Sequence, residues 1–294
     1  MKKYTSIFVL ILLLITIGCS SNKSFLNRNN NPVAEIKVAS YNIRNANKSD
    51  PAKGNGWDVR KKPVTDLILR HDFDIVGIQE PYNIKMPDLD KLLGGYNSVT
   101  APYANRSFLA IYYKKNLFEV LDSGMFWLSE TPDEPSEGWD SDEKRICHWA
   151  KFKDKASTRE FYYFNTHFYW RYQTARKNSG PLVAKRIRKI AGNAPVIFVG
   201  DLNSQPETSQ IESLKASLND AFDVTQTPRK GPENTNLGGG VFQGQPHNRI
   251  DYIFVSKDIK VLDYTSHEDL YKDKNGDDRY PSDHLPISSN IIIE

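Results

Sequence analysis

PVIFVGDLNSQP, residues 195–206, sets a short apolar run against an acid and an amide at its exit. Val196, Ile197, Phe198 and Val199 are β-favouring and too few for a helix, so they read as a buried strand. Asp201 and Asn203 lie two residues apart and leave that strand end on the same side of the chain. The arrangement recurs elsewhere. KVASYNI (37–43) ends near Asn42, DIVGIQE (74–80) ends at Glu80, and NTH (165–167) ends at His167. RIDYIFVS (249–256) opens with Asp251, and SDHLPI (282–287) carries Asp283 and His284 just ahead of an apolar run. Acids at the ends of buried strands are costly unless a cation or a hydrogen bond pairs them.

Between these strands the pattern predicts a helix over 58–70 with Val64, Leu67 and Ile68 as its apolar stripe. A short helix is expected near 87–93, followed by strands at 96–100, 107–113, 117–127, 145–153 and 160–168. Gly180-Pro181 reads as the opening of a helix to Ala191, because proline is tolerated in a first helical turn. A helix at 208–217 and strands at 249–256, 259–266 and 285–293 complete the order. Helices beside runs of strands in both halves indicate a layered α/β architecture rather than an all-β barrel. Two packed sheets with helices outside would use every element.

The chain has 294 residues and a formal net charge of +3, too weak by itself to mark a nucleic-acid binder. The basic cluster KRIRK (185–189) is interleaved with Val183 and Ile187, so it reads as the solvated face of an amphipathic helix. Lys2 and Lys3 precede an 11-residue apolar run, Ile7–Ile17, which is shorter than the roughly 20 residues a spanning helix needs. Residues 1–19 therefore read as an export signal, with Gly18-Cys19 similar to a bacterial lipoprotein cleavage box and Cys19 as the expected lipidation site. Residues 20–34 are polar and read as a tether to a membrane, and 35–294 as one domain. Cys147, the other cysteine, reads as core filler, and neither a disulfide framework nor a cysteine-rich zinc site is expected.

Six motifs in one order, SYNI, GIQE, NTH, GDLNSQP, RIDYIF and SDHLPI, resemble the endonuclease/exonuclease/phosphatase superfamily of deoxyribonuclease-like phosphoesterases across 35–294. FWLSETPDEPSEGW (126–139) and RICHWAKF (145–152) resemble a group of exported bacterial members. The resemblance implies an α/β fold, a four-layer α/β/β/α sandwich of two mixed sheets, with the site at one edge. It implies Glu80 as the principal metal ligand, with Asn42 and Asp283 completing or supporting the site. Mg²⁺ suits such oxygen donors, with Mn²⁺ or Ca²⁺ as substitutes. Asp201 would orient and deprotonate the attacking water, with Asn203 steadying it or donating to phosphoryl oxygens. Asp251 would hold His284, His167 would donate to the scissile phosphate, and Arg145 would contact it. His148 and His247 carry no motif and read as structural or solvated.

One departure concerns the rim. The family commonly has an aspartate two residues after the NTH histidine, whereas this chain continues Phe168-Tyr169-Trp170, and the loop 100–108 (TAPYANRSF) also differs. Tyr169 and Trp170 are expected to offer a stacking surface to a base or a sugar ring. The leading expectation is an exported Mg²⁺-dependent phosphodiesterase acting on nucleic acid, bound to a membrane through its N-terminal lipid and with no protein partner implied. A phospholipid, an inositol phosphate or a phosphorylated glycan is the alternative substrate. A non-catalytic binding module is a third reading, which the complete set of acids argues against.

Overall fold

The computed structural model describes residues 32–104 and 107–294. The expected signal, Cys19 and most of the tether lie outside the described residues, as do Asn105 and Arg106 of the 100–108 loop. The first half of the chain forms β1 (Ala34–Asn42), α1 (Trp57–Arg70), β2 (Ile75–Gln79), α2 (Tyr82–Leu92), β3 (Tyr96–Ala104), β4 (Ser107–Lys114), β5 (Phe118–Trp127), β6 (Ile146–Asp154) and β7 (Glu160–His167). Next come α3 (Gln173–Ala191), β8 (Val196–Asp201), α4 (Ser209–Lys215), β9 (Leu218–Asp220), α5 (Ala221–Val224) and β10 (Asp251–Ser256). Two short strands, β11 (Lys260–Val261) and β12 (Thr265–Ser266), a hairpin of β13 (Tyr271–Lys272) and β14 (Asp278–Arg279), and β15 (Ile287–Ile293) close the fold.

One sheet runs β11-β15-β1-β2-β4-β3, with β12 also on β15, and the other runs β5-β6-β7-β8-β10-β9. Their inner faces meet in a core that includes Ile36, Val38, Ile75 and Ile111 from the first sheet and Phe152, Phe161, Ile197 and Val255 from the second. Val64, Leu67 and Ile68 of α1 and Leu89 of α2 cover the outer face of the first sheet, against Tyr41, Val76 and Tyr112. Val183 and Ile187 of α3 and Leu214 of α4 cover the second, against Phe164, Phe198 and Phe254. The layers are α/β/β/α, as the element order implied. Cys147 is buried in the outer core of the second sheet, and the basic residues of 185–189 lie around the buried Val183 and Ile187 as expected.

The structure corrects three boundaries. Helix α3 starts at Gln173 and not at Gly180-Pro181, because Asp140, remote in sequence, accepts the backbone N–H groups of Thr174 (3.1 Å) and Ala175 (2.7 Å) and caps its first turn. Helix α2 begins at Tyr82, ahead of Pro87. Both prolines are inside helices; Pro181 is exposed, and so is Lys177, whose carbonyl it leaves without a helical donor but open to hydration. The expected strand 259–266 is split in two, because β11 and β12 pair with different stretches of β15.

Gly180 is where α3 meets α4. A Cβ there would lie 2.4 Å from the Gln210 carbonyl oxygen and 2.7 Å from its Cα. Helix propensity favours alanine over glycine by about 1 kcal/mol, but backbone cannot move aside as a flexible side chain can. Gly180→Ala is therefore expected to lower stability by roughly 1–3 kcal/mol, the usual cost of overpacking. A urea midpoint at or above that of the parent would show that the two helices do not need this approach.

Candidate active site

Strand polarity gathers the motif residues. β1 and β2 are parallel, as are β7 and β8, so Asn42, Glu80, His167 and Asp201 all emerge at C-terminal strand ends. β10 runs antiparallel to β8, which sets Asp251 opposite Asp201, and β15 runs antiparallel to β1, so the preceding Asp283 and His284 arrive at the same edge. At this edge Asn42 Nδ2 donates to Asp201 Oδ2 across the two sheets at 2.9 Å. Arg44, Glu80, Tyr82 and Asn203, all beside the cleft, have φ of 63°, 59°, 45° and 46°. Side chains other than glycine seldom adopt this left-handed region, and such strain concentrates at functional sites.

Residues of the motifs that carry no expected chemistry lock the sheets beneath this edge. Asn165 Nδ2 donates to the carbonyls of Ile78 (3.1 Å) and Ala110 (3.0 Å), and its Oδ1 accepts from Gln79 Nε2 at 2.7 Å. The Tyr163 hydroxyl donates to Ala39 O at 2.6 Å and accepts the Gly77 N–H at 2.9 Å. A Cβ on Gly77 would come within 2.5 Å of Val199 Cγ2, so glycine permits the sheets to approach here.

Above the lock, three groups form a proton-handling cluster. His284 Nδ1 lies 2.9 Å from Asp251 Oδ2 and His284 Nε2 lies 3.7 Å from Asp201 Oδ2. Thr235 Oγ1 donates to Asp251 Oδ2 at 2.6 Å, and the Asn203 N–H donates to Asp201 Oδ1 at 2.9 Å. Burial raises the Asp201 carboxyl to about 7 against the opposing pull of His284. Burial alone would depress His284, but the Asp251 and Asp201 carboxylates push it up to about 10. Asn236 completes the arrangement: its Oδ1 accepts the Gly238 N–H at 3.0 Å, which turns its Nδ2 toward His284 Nε2 at 2.9 Å. In that orientation the amide is a donor to Nε2, so a proton on Nε2 requires the amide to turn and lose its Gly238 bond. Asn236 thus opposes the two carboxylates in setting the charge of the ring.

His167 Nε2 is 3.4 Å from Asp201 Oδ2, and its Nδ1 is buried without a hydrogen-bond partner, 3.9 Å from Glu80 Oε1. Burial, reinforced by Arg145 and His284, holds its pKa well below the usual value, so the ring is neutral.

The donor set fits a hard cation at Glu80. Among the described residues no hydrogen bond reaches either Glu80 carboxylate oxygen, and burial together with the neighbouring Asp283 raises its pKa. An unpaired carboxylate beside a second one is a costly arrangement that a divalent ion relieves. Asp283 Oδ2 is held by Arg44 Nη1 (3.1 Å) and the Gly240 N–H (2.8 Å), and Asn42 Oδ1 accepts the Arg44 N–H at 2.9 Å. Glu80 is therefore the unpaired member, and the other two are already braced by protein donors. Asp201, Asp251 and His284 also offer ligand atoms within 4.8 Å of one another, but their polar atoms are largely taken up in the bonds above.

These groups lie in a cleft of about 910 Å³. Arg145 reaches into it with Nη2 on Glu143 at 2.8 Å and a buried Nε that has no partner. Trp170, 52 % exposed, lines the cleft, with Arg171 4.9 Å from its ring. Tyr169 is a correction: it is 1 % exposed, lies outside the cleft and donates its hydroxyl to Asp142, so it anchors the wall and presents no stacking face. The cleft's aromatic lining comes instead from Trp170, Tyr82 and Tyr103. Asn203 directs Nδ2 to the Phe168 carbonyl at 3.0 Å, bracing the turn after β7. His148 is buried and held to about 3 by desolvation, and His247 is exposed, as their lack of a motif suggested.

Sequence reasoning missed Arg44, Asn236 and two buried cations. Arg60 donates from one Nη to the carbonyls of Ile43 (3.0 Å) and Pro281 (2.8 Å), tying the end of β1 to the Asp283–His284 segment. Lys85 donates to the Arg44 carbonyl and lies 4.8 Å from the Trp57 ring. Arg60 lies on a helix read only for its apolar stripe, and Lys85 lies ahead of the helix expected near 87–93. Arg44 carried a signal of its own, as it follows directly on the SYNI motif.

The Endonuclease/Exonuclease/phosphatase family model matches residues 39–284, so the chain belongs to that family, whose members are metal-dependent phosphoesterases. Similar solved structures include a family protein from Bacteroides thetaiotaomicron, 34 % identical with a TM-score of 0.83, covering 89 % of this chain and 99 % of that one. A mannosyl-6-phosphatase of the same species is 34 % identical with a TM-score of 0.83, covering 88 % and 100 %. The human nocturnin catalytic domain with bound sulfate, at 22 % identity and a TM-score of 0.67 over 87 % and 94 % of the chains, shares the fold. Among curated relatives, nocturnin of Drosophila melanogaster is 22 % identical over 81 % of this chain, which spans 42 % of that protein's length.

Glu80 carries a testable consequence. A carboxyl whose folded pKa exceeds its unfolded one destabilises the fold as pH rises through that interval, so ionised Glu80 weakens the metal-free protein at neutral pH. Glu80→Gln is expected to raise the melting temperature of the metal-free protein while abolishing most of the rise that Mg²⁺ produces in the parent. A lower metal-free melting temperature, or an undiminished response to Mg²⁺, in calorimetry would remove Glu80 from the ligand set.

Proposed function

We propose that this chain is an exported, Mg²⁺-dependent phosphatase that removes a terminal phosphate from a phosphorylated sugar. One observation carries the choice of substrate. Among the described residues the cleft presents six carboxylates, Glu80, Glu137, Asp142, Glu143, Asp201 and Asp283, against the cations Arg44, Lys144 and Arg145 and the His284 ring that its carboxylate neighbours hold charged. A bound cation can offset the carboxylates at the base of such a cleft for one phosphate, but at the rim Glu143 and Asp142 already engage Arg145 and Arg171, which leaves few free cations for the successive phosphates of a nucleic-acid strand. A neutral sugar needs no such cations, and Trp170, Tyr82 and Tyr103 can take its apolar faces. The likeness to a mannosyl-6-phosphatase supports this reading. Nucleic acid, the leading expectation from sequence, is the second reading, favoured by the exposure of Trp170.

Glu80, with Asp283 and Asn42, would hold the metal, which when bound supplies charge neutralisation for the phosphoryl oxygens and acidifies water. Asp201, held by Asn42 and the Asn203 N–H, accepts a proton from the attacking water, and its raised pKa suits that task near neutrality. As the water oxygen bonds to phosphorus, the bond from phosphorus to the sugar oxygen breaks, and that oxygen takes a proton from water in the open cleft so that the sugar leaves as the alcohol, Asp201 returning its own proton to solvent. His284, oriented by Asp251, and Arg145 stabilise the charge that grows on the phosphoryl oxygens. His167, neutral and 3.4 Å from Asp201, donates to the same group.

With Mg²⁺, phosphate release from a mannose-6-phosphate-terminated oligosaccharide is expected to exceed cleavage of a single-stranded oligonucleotide in kcat/KM by more than roughly tenfold. The opposite ranking would restore the nucleic-acid reading. Asp201→Asn and His284→Ala should each lower kcat by at least ~10²-fold, with a smaller change in KM. Near-parental turnover in either variant would overturn its role.

Export and anchoring belong to the same proposal, on the strength of Lys2, Lys3, the apolar run Ile7–Ile17 and the Gly18-Cys19 pair. Cell fractionation of the full chain is expected to find it with membranes, and Cys19→Ala in the soluble fraction. A Cys19→Ala protein that stayed on membranes after normal processing would refute the lipid anchor.

A further inference from the structure

On the first sheet, where α1 ends, a second group of ligand-bearing side chains comes together. His71 caps the C-terminus of α1, and His267 and Asp269 follow β12. One ring nitrogen from each histidine and one Asp269 oxygen lie within 4.8 Å of one another. The two imidazole centroids are 4.0 Å apart, and His71 Nε2 is 2.6 Å from Asp269 Oδ2. We propose that His71, His267 and Asp269 form a binding site for a borderline transition-metal ion such as Zn²⁺, separate from the oxygen-donor site at Glu80.

The chemistry of the donors differs between the two places. Two imidazoles and a carboxylate are a ligand set suited to Zn²⁺ and its neighbours, whereas Mg²⁺ prefers oxygen alone. Supporting contacts hold these ligands in position, as outer-shell partners do at metal sites. His267 Nε2 is 2.8 Å from Ser288 Oγ, which leaves Nδ1 as the coordinating atom. Arg70 Nη1 holds Asp269 Oδ1 at 2.5 Å and leaves Oδ2 on the side of His71. Two nearby charges oppose a cation: the Arg70 guanidinium on Asp269, and the Lys37 ammonium, which is engaged with the His71 carbonyl at 2.7 Å. Tetrahedral coordination at Zn–N and Zn–O distances of about 2.0–2.2 Å needs ligand atoms roughly 3.3 Å apart. The His71–Asp269 contact, at 2.6 Å, would therefore open on binding.

The placement gives the ion a structural consequence. The His267 N–H donates to the Pro286 carbonyl at 2.9 Å, and Ser266 pairs with Ile287, so this strand borders the segment that carries Asp283 and His284. A metal here would pin α1 to that strand.

The test is Zn²⁺ titration of the full-length protein in millimolar Mg²⁺, read by competition with a chromophoric chelator, and by Co²⁺ absorption in parallel. The parent is expected to bind one equivalent of Zn²⁺ that survives Glu80→Gln, and to show visible Co²⁺ bands from a nitrogen-containing site. His71→Ala, at a partly exposed helix end, should lower that affinity by at least roughly tenfold, the low end of losing one ligand or its support, and bleach the bands. His267→Gln, which keeps a polar group beside Ser288, should do the same, with circular dichroism confirming that both variants fold. Zn²⁺ binding and Co²⁺ bands unchanged in both variants, or no binding by the Glu80→Gln protein, would overturn the site. Either outcome is independent of the proposed phosphatase activity.

Discussion

Asn165 and Gln79, meeting at 2.7 Å between the sheets, are the contact on which the site rests. Two sheets packed only through Ile, Val and Phe could slide, since hydrophobic burial has no direction. A buried amide that donates to two carbonyls of the opposite sheet has only one low-energy placement, because shifting it would leave polar groups unpaired in a dry core. Gly77 lets that contact close, and Tyr163 repeats it one layer deeper. With the sheets fixed, Asn42 of one can reach Asp201 of the other.

That placement makes the electrostatics costly by design. Carboxylates at Glu80, Asp201, Asp251 and Asp283 converge in a partly desolvated edge, and Arg44, Asn42, Thr235, His284 and backbone N–H groups answer only some of the demand. What is left over is the unpaired Glu80 and an Asp201 shifted toward neutrality. Stability forgone at a site of this kind returns as affinity for a cation and as a base poised near the working pH.

The wall of the cleft follows from one loop. Asp140 caps α3, Asp142 holds Tyr169 and Arg171, and Arg171 stacks on Trp170. The residues that face a substrate are therefore set by a segment more than 25 positions upstream.

The sequence alone determined the layered architecture and the acids, amides and histidines of the edge. Strand runs are local patterns, and an acid at the end of such a run is conspicuous because burial penalises it. Tertiary structure decided what those residues touch. Tyr169 looked like a stacking surface and is an anchor, since its burial depends on Asp142; α3 opens at Gln173, since its cap comes from Asp140. Arg60, Lys85 and Asn236 lay inside helical or loop patterns with nothing to distinguish them, and they matter only because the fold carries the Ile43 carbonyl, the Arg44 carbonyl and the His284 ring to them. Local pattern reports the cost of exposing or burying a side chain, but a hydrogen bond between residues far apart in the chain exists only once packing has closed the distance.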